Sequence, residues 1–125
     1  MSLRSPLGRV RGLGSAKDGT GHWWAQRLTA LALVPLTLWF CVAVISLSGA
    51  DHAAVADWAG SPVVAGLLIL LIAATFYHAY LGVQVVIEDY VHNEMFKIAG
   101  LLLTKAAAIV LALTGILSVL LLLLG

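Results

Sequence analysis

Charge is what this sequence has least of. Seven Lys or Arg and six Asp or Glu make up 10% of 125 residues, where soluble domains carry about 25%. With 62% hydrophobic residues and a mean hydropathy of +1.03, the composition excludes an ordinary soluble fold. Cysteine is reduced to Cys41, so no intrachain disulfide can form and the redox compartment is not legible. No internal repeat and no nucleotide-binding loop occur, and nucleic acid is not expected among the partners. The stretch from Gly49 to Ser61 contains no Lys or Arg at all.

Long apolar runs fill the rest. A helix needs about 20 mainly apolar residues to cross the bilayer core, and three such runs are present, about 27–47, 63–87 and 96–124. The fold class expected is therefore an all-α membrane protein with three transmembrane helices over residues 22–125. The Gly-, Ser- and Arg-bearing residues 1–21 read as a flexible cytoplasmic arm. A cleaved secretory signal fits poorly, because the first apolar run exceeds the 7–15 residues of a signal core and two further spans follow. Arg4, Arg9, Arg11, Lys17 and Arg27 precede or open the first span, while the next loop carries only Asp51 and Asp57. By the positive-inside rule the N-terminus is cytoplasmic and the C-terminus lies on the opposite side.

Packing signals are plentiful but unspecific. On the first span Arg27, Ala30, Val34, Thr37, Cys41, Val44 and Ser48 form a stripe of mostly small residues. On the third, Gly100, Thr104, Ala107, Leu111, Gly115 and Ser118 form another, and small residues let helices approach closely in lipid. Pro35 removes a hydrogen bond inside the first span. Trp23, Trp24 and Trp39 read as interfacial or lipid-facing aromatics.

His78 carries the functional signal. It lies within the apolar run from Pro62 to Ile87, at a depth where an ionisable side chain marks a site by default. Ala74, His78, Gly82, Val85 and Asp89 share one helix face. That face joins an imidazole near mid-membrane, small residues beside it and a carboxylate at the membrane edge. The imidazole could bind haem iron, hydrogen-bond a quinone, relay a proton, or satisfy a hydroxyl on a neighbouring helix. Haem accounts for more of the face, since a porphyrin is a flat apolar disc that needs small residues one turn either side of its ligand. Arg27 could then meet the propionates, although a snorkelling anchor is its plainer reading. His22, His52 and His92 fall outside the spans, which leaves a second axial ligand to another membrane chain. At the helix end Asp89 and Tyr90 pair an acid with a phenol, a combination able to feed protons and a hydrogen bond to a quinone.

The segment His78-Ala79-Tyr80-Leu81-Gly82-Val83-Gln84-Val85-Val86-Ile87-Glu88-Asp89-Tyr90 resembles the His-x3-Gly-x6-Asp-Tyr signature of D-type hydrophobic anchor subunits of succinate dehydrogenase, respiratory complex II. The resemblance extends to Arg27-Leu28-Thr29-Ala30 and spans about Trp24 to Tyr90, with the third span matching only in hydropathy. It implies that His78 is an axial ligand of haem b and that Asp89 and Tyr90 border a ubiquinone site. Arg27, and more loosely His22, would lie at the haem propionates. The partners implied are a C-type anchor subunit giving the other haem histidine, an iron–sulfur subunit and a flavoprotein that oxidises succinate, in the inner (cytoplasmic) membrane. Two other readings compete: a haem-free quinone-site or structural anchor of a related complex, and a small proton-conducting transporter using His78 and Asp89.

Overall fold

The computed structural model describes the backbone from Leu13 and the side chains from Thr20 to the C-terminal Gly125. It is all-helical over the described residues, with α1 (Leu13–Ser46), α2 (His52–Ala59), α3 (Pro62–Tyr90) and α4 (Glu94–Leu124). Three stretches are long and apolar enough to cross a membrane, Thr20–Ser46, Pro62–Tyr90 and Glu94–Leu124. Each is a few residues longer than the apolar runs suggested. At about 1.5 Å per residue such helices exceed the roughly 30 Å hydrocarbon core, so their ends reach the headgroup layer or the helices tilt.

The arm expected over residues 1–21 falls outside the described residues up to residue 12, and from Leu13 it is helical. Extending an existing helix fixes one residue per hydrogen bond gained, so a long span can draw weak formers such as Gly19 and Gly21 into its first turns. Helix α1 also continues through Pro35. The chain turns away from it at Gly49, whose φ of 83° lies in the left-handed region that glycine enters without a Cβ penalty. The segment after it, expected to be loop, contains α2. Asp51 caps that helix by accepting from the backbone N–H of Ala54 at 2.9 Å. Pro62 opens α3 at a position where its missing N–H is not needed. Asn93 opens α4, its side-chain oxygen accepting from the N–H groups of Met95 and Phe96 at 2.9 and 3.2 Å. Only residues 91–93 connect α3 to α4, so the two run antiparallel.

Helix α3 is central, with α1 on one flank and α4 on the other, while α1 and α4 do not pack together among the described residues. The tightest packing lies at the end where α2 meets α3 and α4. There Ala59, Ala65, Leu68 and Val119 form a buried cluster surrounded by Trp39, Phe40 and Trp58. Gly60 is required at this point, because a Cβ on it would stand 2.6 Å from the backbone carbonyl oxygen of Leu122. Trp39, expected to face lipid or the interface, is half-buried and stacks on Trp58 with ring centroids 5.9 Å apart.

Both small-residue stripes need correction. Val34, Thr37, Cys41, Val44 and Ser48 are exposed, and α1 turns Gln26, Thr29, Leu33, Leu36, Phe40 and Ala43 inward instead. The polar groups of that face find α3 at one end and the aromatic rings find α2 at the other, which decides the rotation more strongly than residue size. On α4, Gly100 packs on Ile87 and Gly115 on Ile72 as expected, but Ala107, Leu111 and Ser118 are exposed. Ala108, Ala112 and Val119 take the inner positions there.

Candidate functional site

The sequence sets a polar seam between α1 and α3. His22, Gln26 and Thr29 follow the i, i+4, i+7 spacing of one helix face, and α3 meets them with His78 and, one turn later, Gly82. Thr29 and His78 are joined directly, with Oγ1 and Nδ1 2.9 Å apart.

The donors in that contact can be assigned. Oγ1 of Thr29 also lies 2.8 Å from the carbonyl oxygen of Ala25 and 3.0 Å from that of Gln26. Carbonyl oxygens only accept, so a hydroxyl proton directed at either of them leaves the hydroxyl lone pair facing His78. In that arrangement Nδ1 of His78 is the donor, in the tautomer that carries its proton there. The neutral ring then carries its proton on Nδ1, and Nε2 keeps a lone pair. The ring's hydrogen bonding among the described residues is confined to Nδ1.

The gap expected beside Gly82 has another use. A Cβ there would stand 3.7 Å from Nε2 of Gln26, in ordinary contact, so Gln26 lies beside Gly82 without requiring a glycine. Gln26 and His22 present the two buried side-chain polar atoms without a partner among the described residues, Oε1 and Nε2 respectively. Buried polar atoms are paired in the great majority of structures, so two such atoms one turn apart mark a polar spot on this seam.

Arg27 lies away from this seam. Its side chain is exposed, and the guanidinium rests 5.1 Å above the Trp23 ring, a cation–π contact of the kind arginine makes at partly hydrated sites. Asp89 and Tyr90 occupy the last turn of α3 and are exposed, Tyr90 at 77%. Eleven residues separate His78 from Asp89, about 16 Å along the helix axis. The structure thus brings His78 together with Thr29, and Gln26 together with Gly82, but leaves Asp89, Tyr90 and Arg27 on surfaces that the other described residues do not cover.

The donor set also bears on what could be held. Among the described residues no three His, Cys, Asp or Glu side chains converge. A metal reaching His78 would have to bring most of its own ligands, as a porphyrin does. One imidazole with its far nitrogen fixed by a hydroxyl, its near nitrogen bearing a lone pair, and two orphaned polar atoms closer to the helix end fit that demand. Thr29 and Gln26 were missed as single residues in the sequence. The i, i+4, i+7 spacing of His22, Gln26 and Thr29 is the signal that could have found them.

A family model described as the succinate dehydrogenase/fumarate reductase transmembrane subunit matches residues 1–122. The chain is 35% identical over 89 residues to the succinate dehydrogenase hydrophobic membrane anchor subunit of Rickettsia bellii (strain RML369-C), covering 71% of each chain. It is 31% identical over 99 residues to the protein of the same name from Paracoccus denitrificans, covering 79% of this chain and 77% of that one. The succinate dehydrogenase membrane anchor subunit of Reclinomonas americana is 30% identical over 96 residues, covering 74% of this chain and 80% of that one. No solved structure gives a significant match.

Proposed function

The chain belongs to the succinate dehydrogenase/fumarate reductase transmembrane subunit family, and on that footing we propose that it anchors succinate dehydrogenase at the membrane as a D-type subunit. It is a non-catalytic part of that enzyme. Succinate oxidation falls to a flavoprotein and electron transfer from it to an iron–sulfur subunit, both outside the bilayer. A C-type anchor subunit completes the helical bundle. The basic residues before the first span favour an N-terminus on the cytoplasmic side of the inner membrane.

His78 would hold the iron of a haem b shared with the C-type chain. The observation that carries this reading is the Nδ1–H to Thr29 contact at 2.9 Å, which leaves Nε2 as a base toward iron. Haem b, when bound, supplies a one-electron iron couple within the membrane. His22 and Gln26 would meet the polar edge of the macrocycle, since each holds an orphaned polar atom. Arg27, exposed and over the Trp23 ring, would meet a propionate with its guanidinium N–H groups.

Asp89 and Tyr90 serve ubiquinone. The Tyr90 hydroxyl donates to a quinone carbonyl, and Asp89 passes protons to the oxygen that gains charge on reduction. Their exposure on this chain suits a pocket closed by the partner subunits. The proton-conducting alternative finds less support, because among the described residues the membrane-embedded parts of α1 and α4 carry no acid that would extend a path from His78.

Capture of the complex through a tag on this chain tests the assignment. Flavin, iron–sulfur clusters and succinate:quinone activity should be recovered with it. Recovery of the chain without them from membranes containing succinate dehydrogenase would refute it.

A further inference from the structure

We propose that Thr29 is a positioning residue for His78, fixing its tautomer and setting its donor strength toward the haem iron. The inference rests on the haem reading above. Its basis is the hydroxyl's divided geometry. The proton of Oγ1 is held by the carbonyl oxygens of Ala25 and Gln26, at 2.8 and 3.0 Å, and the lone pair is aimed at Nδ1 of His78, at 2.9 Å.

Three consequences follow from that arrangement. The β-branched side chain is stiff about χ1, and its bond back to the preceding turn pins the rotamer further, so the acceptor is presented at a fixed place. Nδ1 must donate to meet it, which leaves Nε2 as the only ring nitrogen able to bind a metal. Metal-bound imidazoles commonly donate their other N–H to an acceptor, and that bond orients the ring and raises its basicity. A hydroxyl is a weaker acceptor than a carboxylate, and its neutral charge avoids placing an anion at membrane depth. Thr29 also belongs to a different helix from His78, so the ring's orientation depends on how α1 docks against α3.

A purely structural hydroxyl, one that only joins two helices, would affect assembly but not the electronic state of the iron. The test therefore reads the iron. In the intact complex Thr29→Val removes the acceptor while keeping the branched shape, Thr29→Ala removes it with less bulk, and Thr29→Ser keeps it. Losing the acceptor weakens the axial donor and destabilises the ferric state relative to the ferrous one. Thr29→Val and Thr29→Ala should raise the haem midpoint potential and shift the g values of the ferric low-spin electron paramagnetic resonance signal, while Thr29→Ser stays at wild type. Haem loss from assembled Thr29→Val and Thr29→Ala complexes, with full retention in Thr29→Ser, supports the same role. Wild-type potential and g values in an acceptor-free variant would overturn it, as would equal shifts in all three. A wild-type complex without b-type haem, or an unaltered spectrum in His78→Ala, would instead remove the haem reading and this proposal with it.

Discussion

Thr29 on α1 and His78 on α3 are 49 positions apart in the chain and 2.9 Å apart in space. That contact decides how the histidine at membrane depth is read. A hydrogen bond between membrane helices contributes on average about 0.6 kcal/mol, with a maximum near 1.7. Placing an ionisable side chain at the centre of a span costs about 2.5–3.5 kcal/mol when charged. Even for the neutral ring, a single hydroxyl satisfies one of two nitrogens. The helix-to-helix contact anticipated as a plain alternative is present, yet it leaves Nε2 unaccounted for.

The close approach at Gly60 makes a stability prediction independent of the redox site. Adding a methyl group there places Cβ 2.6 Å from the carbonyl oxygen of Leu122, and backbone on both sides has little room to yield. Gly60→Ala should destabilise the packed end by about 1–3 kcal/mol and lower the thermal unfolding midpoint of the purified complex. Its haem spectrum should remain, because Gly60 lies before Pro62, which is 16 residues, about 24 Å along the α3 axis, from His78.

The quinone role proposed for Tyr90 rests on its hydroxyl. Tyr90→Phe keeps the ring and deletes a donor contributing roughly 0.5–1.5 kcal/mol, a factor of about 2–13. Succinate:quinone activity should fall by about that factor or more, while the haem spectrum and succinate oxidation with a soluble artificial acceptor stay near wild type. Normal quinone reduction would return Tyr90 to an interfacial aromatic and leave the quinone assignment on Asp89 alone.

Expressed by itself, the chain should not hold haem in bis-imidazole ligation. The second axial histidine is proposed to come from the C-type chain, so ligation of haem on both faces requires that partner. Aggregation or degradation without that partner is the expected result of pulse-chase measurement of the lone subunit. Stoichiometric low-spin haem in the isolated chain would contradict a pocket shared by two chains.

The spans were legible because hydropathy acts over twenty residues at a time and bilayer thickness sets the scale. His78, Asp89 and Tyr90 stood out for a related reason, as polar groups at unusual depth or at a span end. The rotation of α1 was not legible. Its small-residue stripe looked ready to pack, but the inner face was chosen by Gln26, Thr29 and Phe40 finding particular partners on other elements. Likewise α2 was read as loop: Asp51 was noted for its charge rather than as a cap, and the stacking of Trp39 on Trp58 depends on a chain reversal that no local pattern encodes. Gly82 reads as making room from its size alone, but that the Gln26 side chain of another helix lies beside it is a tertiary fact. These are tertiary choices, and residues far apart in sequence make them jointly.

The central claim is that His78 ligates haem iron, and the most direct measurement is a dithionite-reduced minus oxidised spectrum of the purified complex carrying His78→Ala. The account predicts that the low-spin b-type bands seen with the wild-type complex are lost or replaced by those of five-coordinate haem. An unchanged low-spin b-type spectrum at full haem content would contradict it.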